Sequence, residues 1–358
     1  MSSSSSLTLE IHDVAFGGKG VARHEGKVYF VPFTIPGEKV TVRVTKQKKN
    51  FAEADLIAVE VASPDRVEPP CPYFTNCGGC NYQHIAYPRQ LAIKAAQVEQ
   101  TLRRVGKLAA VPMRPPVGAP QPYGYRNRIR VHSMGGVTGF YAYDARSLVD
   151  IASCALAAPE VNRALHRLRH TPVREGDYSL RAPGGGPFFE QTNPEVAGAL
   201  VGVVQAAVQG TGLLVDAYCG SGLFARALAG QFERVVGIEE NEAAVASARR
   251  SASERESYIA AEVSSVLGDV LSQHPAAQTT VLIDPPAEGL TPRVSDLLIA
   301  AAPSEVIYVS CNPATLARDL AAFGSAYELL SVTPLDMFPQ TAEIEVVAHL
   351  RLRASARF

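Results

Sequence analysis

From about Gly210 onward, strand-length apolar runs alternate with helix-length stretches. The runs are Leu213–Tyr218, Arg234–Glu239, Thr280–Asp284 and Glu305–Ser310. Helical spacing marks Leu223–Ala229, Glu242–Ala252, Val294–Ala301 and Thr315–Phe323. Runs this uniformly apolar are buried on both faces, as in a parallel sheet covered by helices. The pattern predicts an open, doubly wound α/β sheet, in which ligands collect at the carboxyl ends of the strands. Three segments fall at that edge: Asp216 to Gly222, Asp284-Pro285-Pro286 and Ser310-Cys311-Asn312-Pro313. Two further long strands, Tyr327–Val332 and Ile344–Leu352, are expected to form an antiparallel hairpin at the sheet edge.

A chain of 358 residues has room for two or three domains. Residues 7 to 62 alternate apolar and polar in short runs separated by Gly17-Gly18-Lys19-Gly20 and Pro36-Gly37, which predicts a small OB-like β-barrel over 1–62. Barrels of this kind bind single-stranded nucleic acid through a basic groove and stacking aromatics. Arg43, Lys46, Lys48 and Lys49 supply the charge; Tyr29, Phe30, Phe33 and Phe51 supply rings, most of which we assign to the barrel core. The net charge of -1 gives no global basic field, so any nucleic-acid contact must be local. Ser2 to Ser6 reads as a disordered leader, with no apolar signal segment after it. The longest apolar stretch, Val196 to Val208, is too short to span a bilayer. We therefore expect a cytoplasmic monomer with no membrane partner. In that compartment the six cysteines are ligands, catalysts or packing rather than disulfides.

A central α+β domain over 63–188 opens with a Pro-rich linker, followed by Cys71, Cys77 and Cys80 and a helix over Gln90–Val105. Strands are expected at Tyr125–Val131 and Gly139–Tyr143. Arg126, Arg128 and Arg130 alternate in the first of these and would share one face, either as a phosphate-binding row or as solvated charge on an edge strand. The remaining domain, 189–358, is the α/β sheet.

In Asp216-x-x-Cys219-Gly220-x-Gly222 the glycines let the backbone approach a ligand ahead of a helix N-terminus. The spacing is not that of a dinucleotide fingerprint. Glu239, at the end of the second strand, can accept hydrogen bonds from ribose hydroxyls. Together these elements resemble the nucleoside pocket of S-adenosylmethionine (SAM) methyltransferases, with Cys219 expected only to pack. Cys311 has two readings. Cysteine is commonly a small buried hydrophobe, but a strand end just before a helix favours the thiolate. Carbon 5 of uracil is too electron-poor to take a methyl group directly. A thiolate adding to carbon 6 makes carbon 5 nucleophilic, and a base must later remove the carbon 5 proton.

The set of motifs resembles the RNA uracil-5-methyltransferase family over nearly the whole chain. Gly17-Gly18-Lys19-Gly20-Val21-Ala22 and Ile35-Pro36-Gly37-Glu38 are similar to its TRAM domain. Cys71-x5-Cys77-Gly78-Gly79-Cys80, with Gln83-His84 and Gln90-Leu91, is similar to its iron–sulfur segment. Phe189-x-Gln191-x-Asn193, the Asp216 turn, Asp284-Pro285-Pro286, Ser310 to Pro313 and Asp336-Met337-Phe338-Pro339-Gln340-Thr341 are similar to its methyltransferase half. The resemblance implies Cys311 as nucleophile and Glu345 as base, with Gln191, Tyr218, Glu239, Asp269 and Asp284 lining the SAM site. It also implies Cys71, Cys77, Cys80 and Cys154 as ligands of a [4Fe-4S] cluster. Cys154 is also the cysteine left over once Cys219 and Cys311 are given to the sheet. On chemical grounds alone, four thiolates suit zinc equally well. The implied substrate is a uridine in structured RNA, ribosomal (23S) RNA before transfer RNA, flipped from its stack for reaction.

Three positions depart from the family pattern. Leu223 stands where Asn is usual, Ala287 where Arg is usual, and Glu343 where His precedes the base. Glu343 and Glu345 alternate and would share one strand face, so Glu343 competes for the role of base. Two rival readings follow. An amino-methyltransferase would use Asp284-Pro285-Pro286 but has no need of Cys311. An RNA-binding iron–sulfur protein without catalysis would account for the three departures.

Overall fold

The computed structural model describes residues 6–184 and 190–354; Ser2–Ser5, Phe189 and the expected boundary at 188/189 lie outside them. The chain forms two compact units. The first comprises Met1–Gln97, Gln121–Gly184 and Phe338–Glu343; the second comprises Val98–Pro120, Gly185–Met337 and Ile344–Phe358.

In the first unit, β1 (Ser6–Val14), β2 (Lys19–His24), β3 (Lys27–Pro32), β4 (Lys39–Gln47) and β5 (Phe51–Val61) close a barrel in the order β1-β2-β3-β5-β4. Alternation along the strands turns Leu9, Ile11, Val40, Val42, Ala52 and Ala54 inward. Of the four aromatics assigned mainly to this core, only Tyr29 joins it. Phe30 and Phe51 meet edge to face at 5.9 Å. Phe33 takes a left-handed backbone (φ 60) and packs on Phe74 and Tyr143 at 5.2 and 4.9 Å. A barrel of so few strands has an interior that small branched side chains fill, leaving little room for rings.

The helix α1 (Tyr87–Arg104) starts in the first unit and ends in the second. The first unit continues with β6 (Arg128–Met134), β7 (Val137–Tyr141), β8 (Leu148–Asp150), α2 (Pro159–Arg169) and β9 (Gly176–Arg181). The strands form an antiparallel sheet in the order β8-β7-β6-β9, with Ile129, Val131, Ile151, Val161 and Leu165 between sheet and helix. β6 begins at Arg128, so the expected arginine row shortens to Arg128 and Arg130. Arg130 pairs with Asp177 of β9. Arg126 is bridged instead to Ala157, which takes it off the strand and into a loop.

The second unit holds α3 (Pro194–Ala207), β10 (Leu213–Ala217), α4 (Leu223–Leu228), β11 (Arg234–Glu239), α5 (Glu242–Arg250), β12 (Glu256–Ala260) and α6 (Val263–Ser272). It continues with β13 (Thr279–Ile283), α7 (Pro292–Ala301), β14 (Glu305–Ser310), α8 (Pro313–Phe323), β15 (Tyr327–Leu335) and β16 (Glu345–Leu352). The sheet order is β12-β11-β10-β13-β14-β16-β15. β10 to β14 run parallel, as the apolar runs predict, and β16 is antiparallel to both its neighbours. The expected hairpin is present at the sheet edge, with β16 next to β14 and β15 as the edge strand. Backbone of Arg114 and Val117 pairs with Val332 and Pro334 of β15 at 2.8 Å, which covers that edge. β12 and α6 were not foreseen. β12 is half polar and lies at the other edge, where no uniformly apolar run is needed. Among the described residues no helix is long and apolar enough to cross a membrane.

Candidate active site

β14 ends at Ser310, and α8 starts at Pro313. Asn312 caps the helix, its side-chain oxygen accepting the Ala314 N–H at 3.0 Å. Half-buried Cys311 therefore sits between a strand end and a helix N-terminus. The β14–β16 ladder pairs Val309 with Val347 and Ser310 with Val346. Cys311 follows the last ladder residue of β14, and Glu345, the first residue of β16, precedes that residue's partner Val346. Glu345 is 3% exposed. Burial, and then the charge of Asp284, push its carboxyl well above the usual carboxylate range.

Glu343 does not compete on the same terms. It is exposed and precedes β16, so the two glutamates do not alternate on one strand as expected. Ala287, the second departure, contributes backbone: its carbonyl accepts Asn312 Nδ2 and Thr315 Oγ1, both at 3.0 Å. That ties the Asp284 turn to the Cys311 loop. The Leu223 side chain is exposed at the start of α4.

Asp216 ends β10 one residue short and is 0% exposed. One of its oxygens accepts the Ala225 N–H at 2.8 Å, and the other has no hydrogen-bond partner. Burial pushes its carboxyl up to about 8, and that of Asp284 up to about 7. The turn after β10 is left-handed at Tyr218, Gly220 and Gly222 (φ 64, 53 and 83). A Cβ on Gly222 would come within 2.7 Å of the Tyr258 hydroxyl, whereas one on Gly220 would meet nothing within 4 Å. Glycine is thus forced at the first position by packing, and open space lies over the second. Glu239 closes β11 by accepting the Gly220 N–H at 3.1 Å and the Asn241 N–H at 2.9 Å. Cys219 is buried, in keeping with a packing role. Half-buried Gln191 lies just ahead of Asn193, the cap of α3.

Asp269 is not brought to this edge. It is exposed near the end of α6, most of whose length separates it from the β12 carboxyl end. The acid at that end is Glu262, the residue before α6, whose charge also helps raise the Tyr218 hydroxyl after burial has done so. Its signal in the sequence was faint, because β12 itself lacked an apolar run.

The first unit holds a second constellation. Cys71, Cys77, Cys80 and Cys154 line one cavity of about 260 Å3 together with Gln83 and Arg126. Backbone pairing builds it: Gly78 N–H to Tyr141 O at 2.9 Å on one side, Arg126 N–H to Leu156 O at 2.8 Å on the other. Asn162 of α2 staples the Cys154 loop, accepting the Cys154 N–H at 2.8 Å and donating to its carbonyl at 2.9 Å. Burial pushes the Cys80 thiol up to about 12 and raises those of Cys77 and Cys154. Among the described residues no three such groups stand close enough to share a single metal ion. Mononuclear zinc would require sulfurs about 2.3 Å from one centre. Arg126 and Asn162 are neighbours of these cysteines that the sequence did not reveal.

A parallel sheet with a glycine turn, an acid at the end of the next strand and an aspartate with one oxygen left without a partner, all at its carboxyl edge, fits the SAM-dependent methyltransferase class. The comparisons with known proteins narrow this. Residues 5–57 match the TRAM domain, and residues 267–353 match the tRNA (uracil-5-)-methyltransferase model. An RNA methyltransferase of Bdellovibrio bacteriovorus is 34% identical, over 97% of this chain and 95% of that one. One of Halalkalibacterium halodurans is 30% identical over 97% of both. The chain belongs to the RNA uracil-5-methyltransferase family. Among solved structures it is similar to the Pyrococcus abyssi tRNA (uracil-54, C5)-methyltransferase in complex with S-adenosyl-L-homocysteine, with a TM-score of 0.72 and 25% identity over 96% of this chain and 100% of that one.

Proposed function

We propose that the protein methylates carbon 5 of a uridine in structured RNA through a covalent adduct on Cys311. The observation that supports this is the β14–β16 register, whose last pair, Ser310 with Val346, is flanked by Cys311 on one strand's end and Glu345 on the other's. Bound SAM supplies an electrophilic methyl group. Gln191, Tyr218, Glu239 and Asp284 line its site, and Asp216 offers one unpartnered carboxylate oxygen. Cys311 sulfur bonds to carbon 6, and the electron pair of the ring double bond moves toward carbon 5 and its carbonyl. Carbon 5 then takes the methyl group, and the electron pair of the methyl–sulfur bond would stay on sulfur, leaving S-adenosylhomocysteine. Glu345 removes the carbon 5 proton, the double bond re-forms, and the pair of the carbon–sulfur bond returns to Cys311. A raised carboxyl at Glu345 makes it a base strong enough for a carbon acid once deprotonated.

The four cavity cysteines would hold a [4Fe-4S] cluster, with Arg126 offsetting its negative charge. No step of methyl transfer calls for electrons, so the cluster's work is to close the loops of the first unit. Ribosomal (23S) RNA is the substrate this reading places first. Transfer RNA is the second, favoured by the activity of the Pyrococcus abyssi protein. Mapping 5-methyluridine in both RNAs from a deletion strain tests them together. Loss at one rRNA site supports the first reading, loss in tRNA the second, and loss in neither overturns the methyltransferase assignment. RNA carrying 5-fluorouridine should form a stable complex with the protein, because fluorine cannot leave as a proton does.

A further inference from the structure

The chain leaves the second unit after Met337 and returns to it at Ile344. The strap between, Phe338–Glu343, belongs to the cysteine-bearing unit, and Glu345 follows two residues later. Three successive carbonyls of this strap are held by side chains or backbone of that unit. Lys94 Nζ donates to Phe338 O at 3.1 Å, and Tyr125 Oη donates to Pro339 O at 3.0 Å. The N–H groups of Asn81 and Tyr82, directly after Cys80, donate to Gln340 O at 3.2 and 3.0 Å.

At the centre is a two-point clasp. Gln90 Nε2 donates to Gln340 Oε1 at 2.9 Å, and the Gln340 N–H donates to Gln90 Oε1 at 3.1 Å. Gln90 is 0% exposed and Gln340 2%. Gln90 also donates to Ile85 O at 2.8 Å, so its amide is fully engaged. Gln340 adopts a left-handed backbone (φ 69) without being glycine. Such a conformation persists where its surroundings over-determine it, and these sites cluster where function demands a fixed geometry. An apolar plug would hold the strap down equally well. Paired amides also fix its direction and register, because hydrogen bonds are directional.

We infer that Gln90 and Gln340 are positioning residues for Glu345. Neither touches substrate; their clasp fixes the strap from which the chain enters β16, and so fixes where the base stands when the carbon 5 proton must be removed. This rests on the reading of Glu345 as that base.

The test uses the full-length protein, SAM and the RNA substrate, and follows the Cys311–RNA adduct as a band resistant to denaturation. Gln90→Met keeps length and removes both polar contacts. Gln340→Gly removes the side-chain contact while accepting the left-handed backbone without strain, and it decides the matter if Gln90→Met does not fold. Glu345→Gln is the reference. Each clasp variant should bind SAM within about twofold of wild type and form adduct at the normal rate, but release it more slowly, by about 100-fold for an ångström of misplacement. Release at the wild-type rate by the clasp variants, while Glu345→Gln traps adduct, overturns the inference and leaves the base in place. Normal release by Glu345→Gln overturns the base assignment and the inference with it. Equal loss of SAM binding and adduct formation in both clasp variants reduces the clasp to a general folding contact and also overturns it.

Discussion

The amino and carboxyl ends of the large sheet both bury acids, and they treat them in opposite ways. At the amino end, Glu305 of β14 accepts hydrogen bonds from the N–H groups of Gln209 and Gly210 and from the Thr280 hydroxyl, and shares one with His349 at 2.8 Å. Burial alone would raise this carboxyl, but the His349 and Thr280 contacts hold it below its ordinary value. At the carboxyl end, Asp216 keeps one oxygen without a partner, and burial pushes Asp216 and Asp284 up to about 8 and 7. A buried acid whose lone pairs are all taken is part of the scaffold. One left short of partners marks where a ligand completes the structure.

The strongest way to break this contrast is at Cys311, which should matter to chemistry and not to folding. Cys311→Ala should lower methylation by about 10^4-fold or more, as loss of a covalent nucleophile does. SAM affinity, read by calorimetry, should stay within about twofold. Residual turnover near the wild-type rate would remove the covalent route altogether.

Next in size is the difference between the two kinds of acid. Glu305→Gln places amide hydrogens against the donors of Gln209, Gly210 and Thr280 and should destabilise the protein by about 2–4 kcal/mol in denaturant melts. Asp216→Asn replaces a carboxyl that burial already favours in its neutral form, so it should cost less than about 1 kcal/mol without SAM. It should nevertheless weaken SAM binding about tenfold. Equal destabilisation by the two variants would erase the distinction.

The same contrast has a pH signature. Asp216 and Asp284 are raised above their unfolded value of 3.8, so the folded state holds more protons between about pH 4 and pH 8. Their contribution is therefore fully present below pH 4 and is lost as pH rises through 7 and 8. Glu305 is lowered below 4.5, so its contribution is present above that value and is lost as pH falls through it. Without SAM, Tm should peak near pH 5 and fall by roughly 5–10 °C toward pH 8. Saturating SAM, a cation at the carboxyl edge, should flatten the upper limb. A Tm that rises from pH 5 to pH 8 would reverse the assigned sign at the carboxyl edge.

Legibility in the sequence followed burial on both faces. β11 and β14 were placed residue for residue, because a strand covered by helices must be apolar along its length. The Cys311 segment was legible for the same reason: its strand announces it. β12 was not, since an edge strand with half its residues polar gives no such run. The barrel aromatics were misassigned because alternation says which residues point inward and not how large a ring the interior admits. Arg126 was placed on a strand because alternation continues past the point where the ladder starts, and only pairing with Ala157 reveals the loop. Glu343 was put beside Glu345 for a similar reason, although the strap ends and the strand begins between them. The Gln90–Gln340 clasp joins residues 250 positions apart, and no local pattern encodes such a contact.

The smallest effect tests which acid of the α6 region serves the cofactor, Asp269 or Glu262. Ligands of a parallel sheet gather at strand carboxyl ends, and α6 carries its residues away from that end by about 1.5 Å each. Asp269 lies near the far end of α6 and is exposed, whereas Glu262 immediately precedes the helix. Hydrogen bonds from Ser264, side chain and backbone, hold the Glu262 carboxyl below its ordinary value, so it is an anion at neutral pH. An anion there can accept hydrogen bonds from the nucleoside part of SAM, and losing one charged hydrogen bond near solvent weakens binding by about five- to tenfold. Glu262→Gln should show that change in calorimetry, and Asp269→Asn should leave the affinity within about twofold. If Asp269→Asn weakens SAM and Glu262→Gln does not, then α6 is differently placed when the nucleoside binds, and the carboxyl edge owes one of its acids to a helix and not to a strand end.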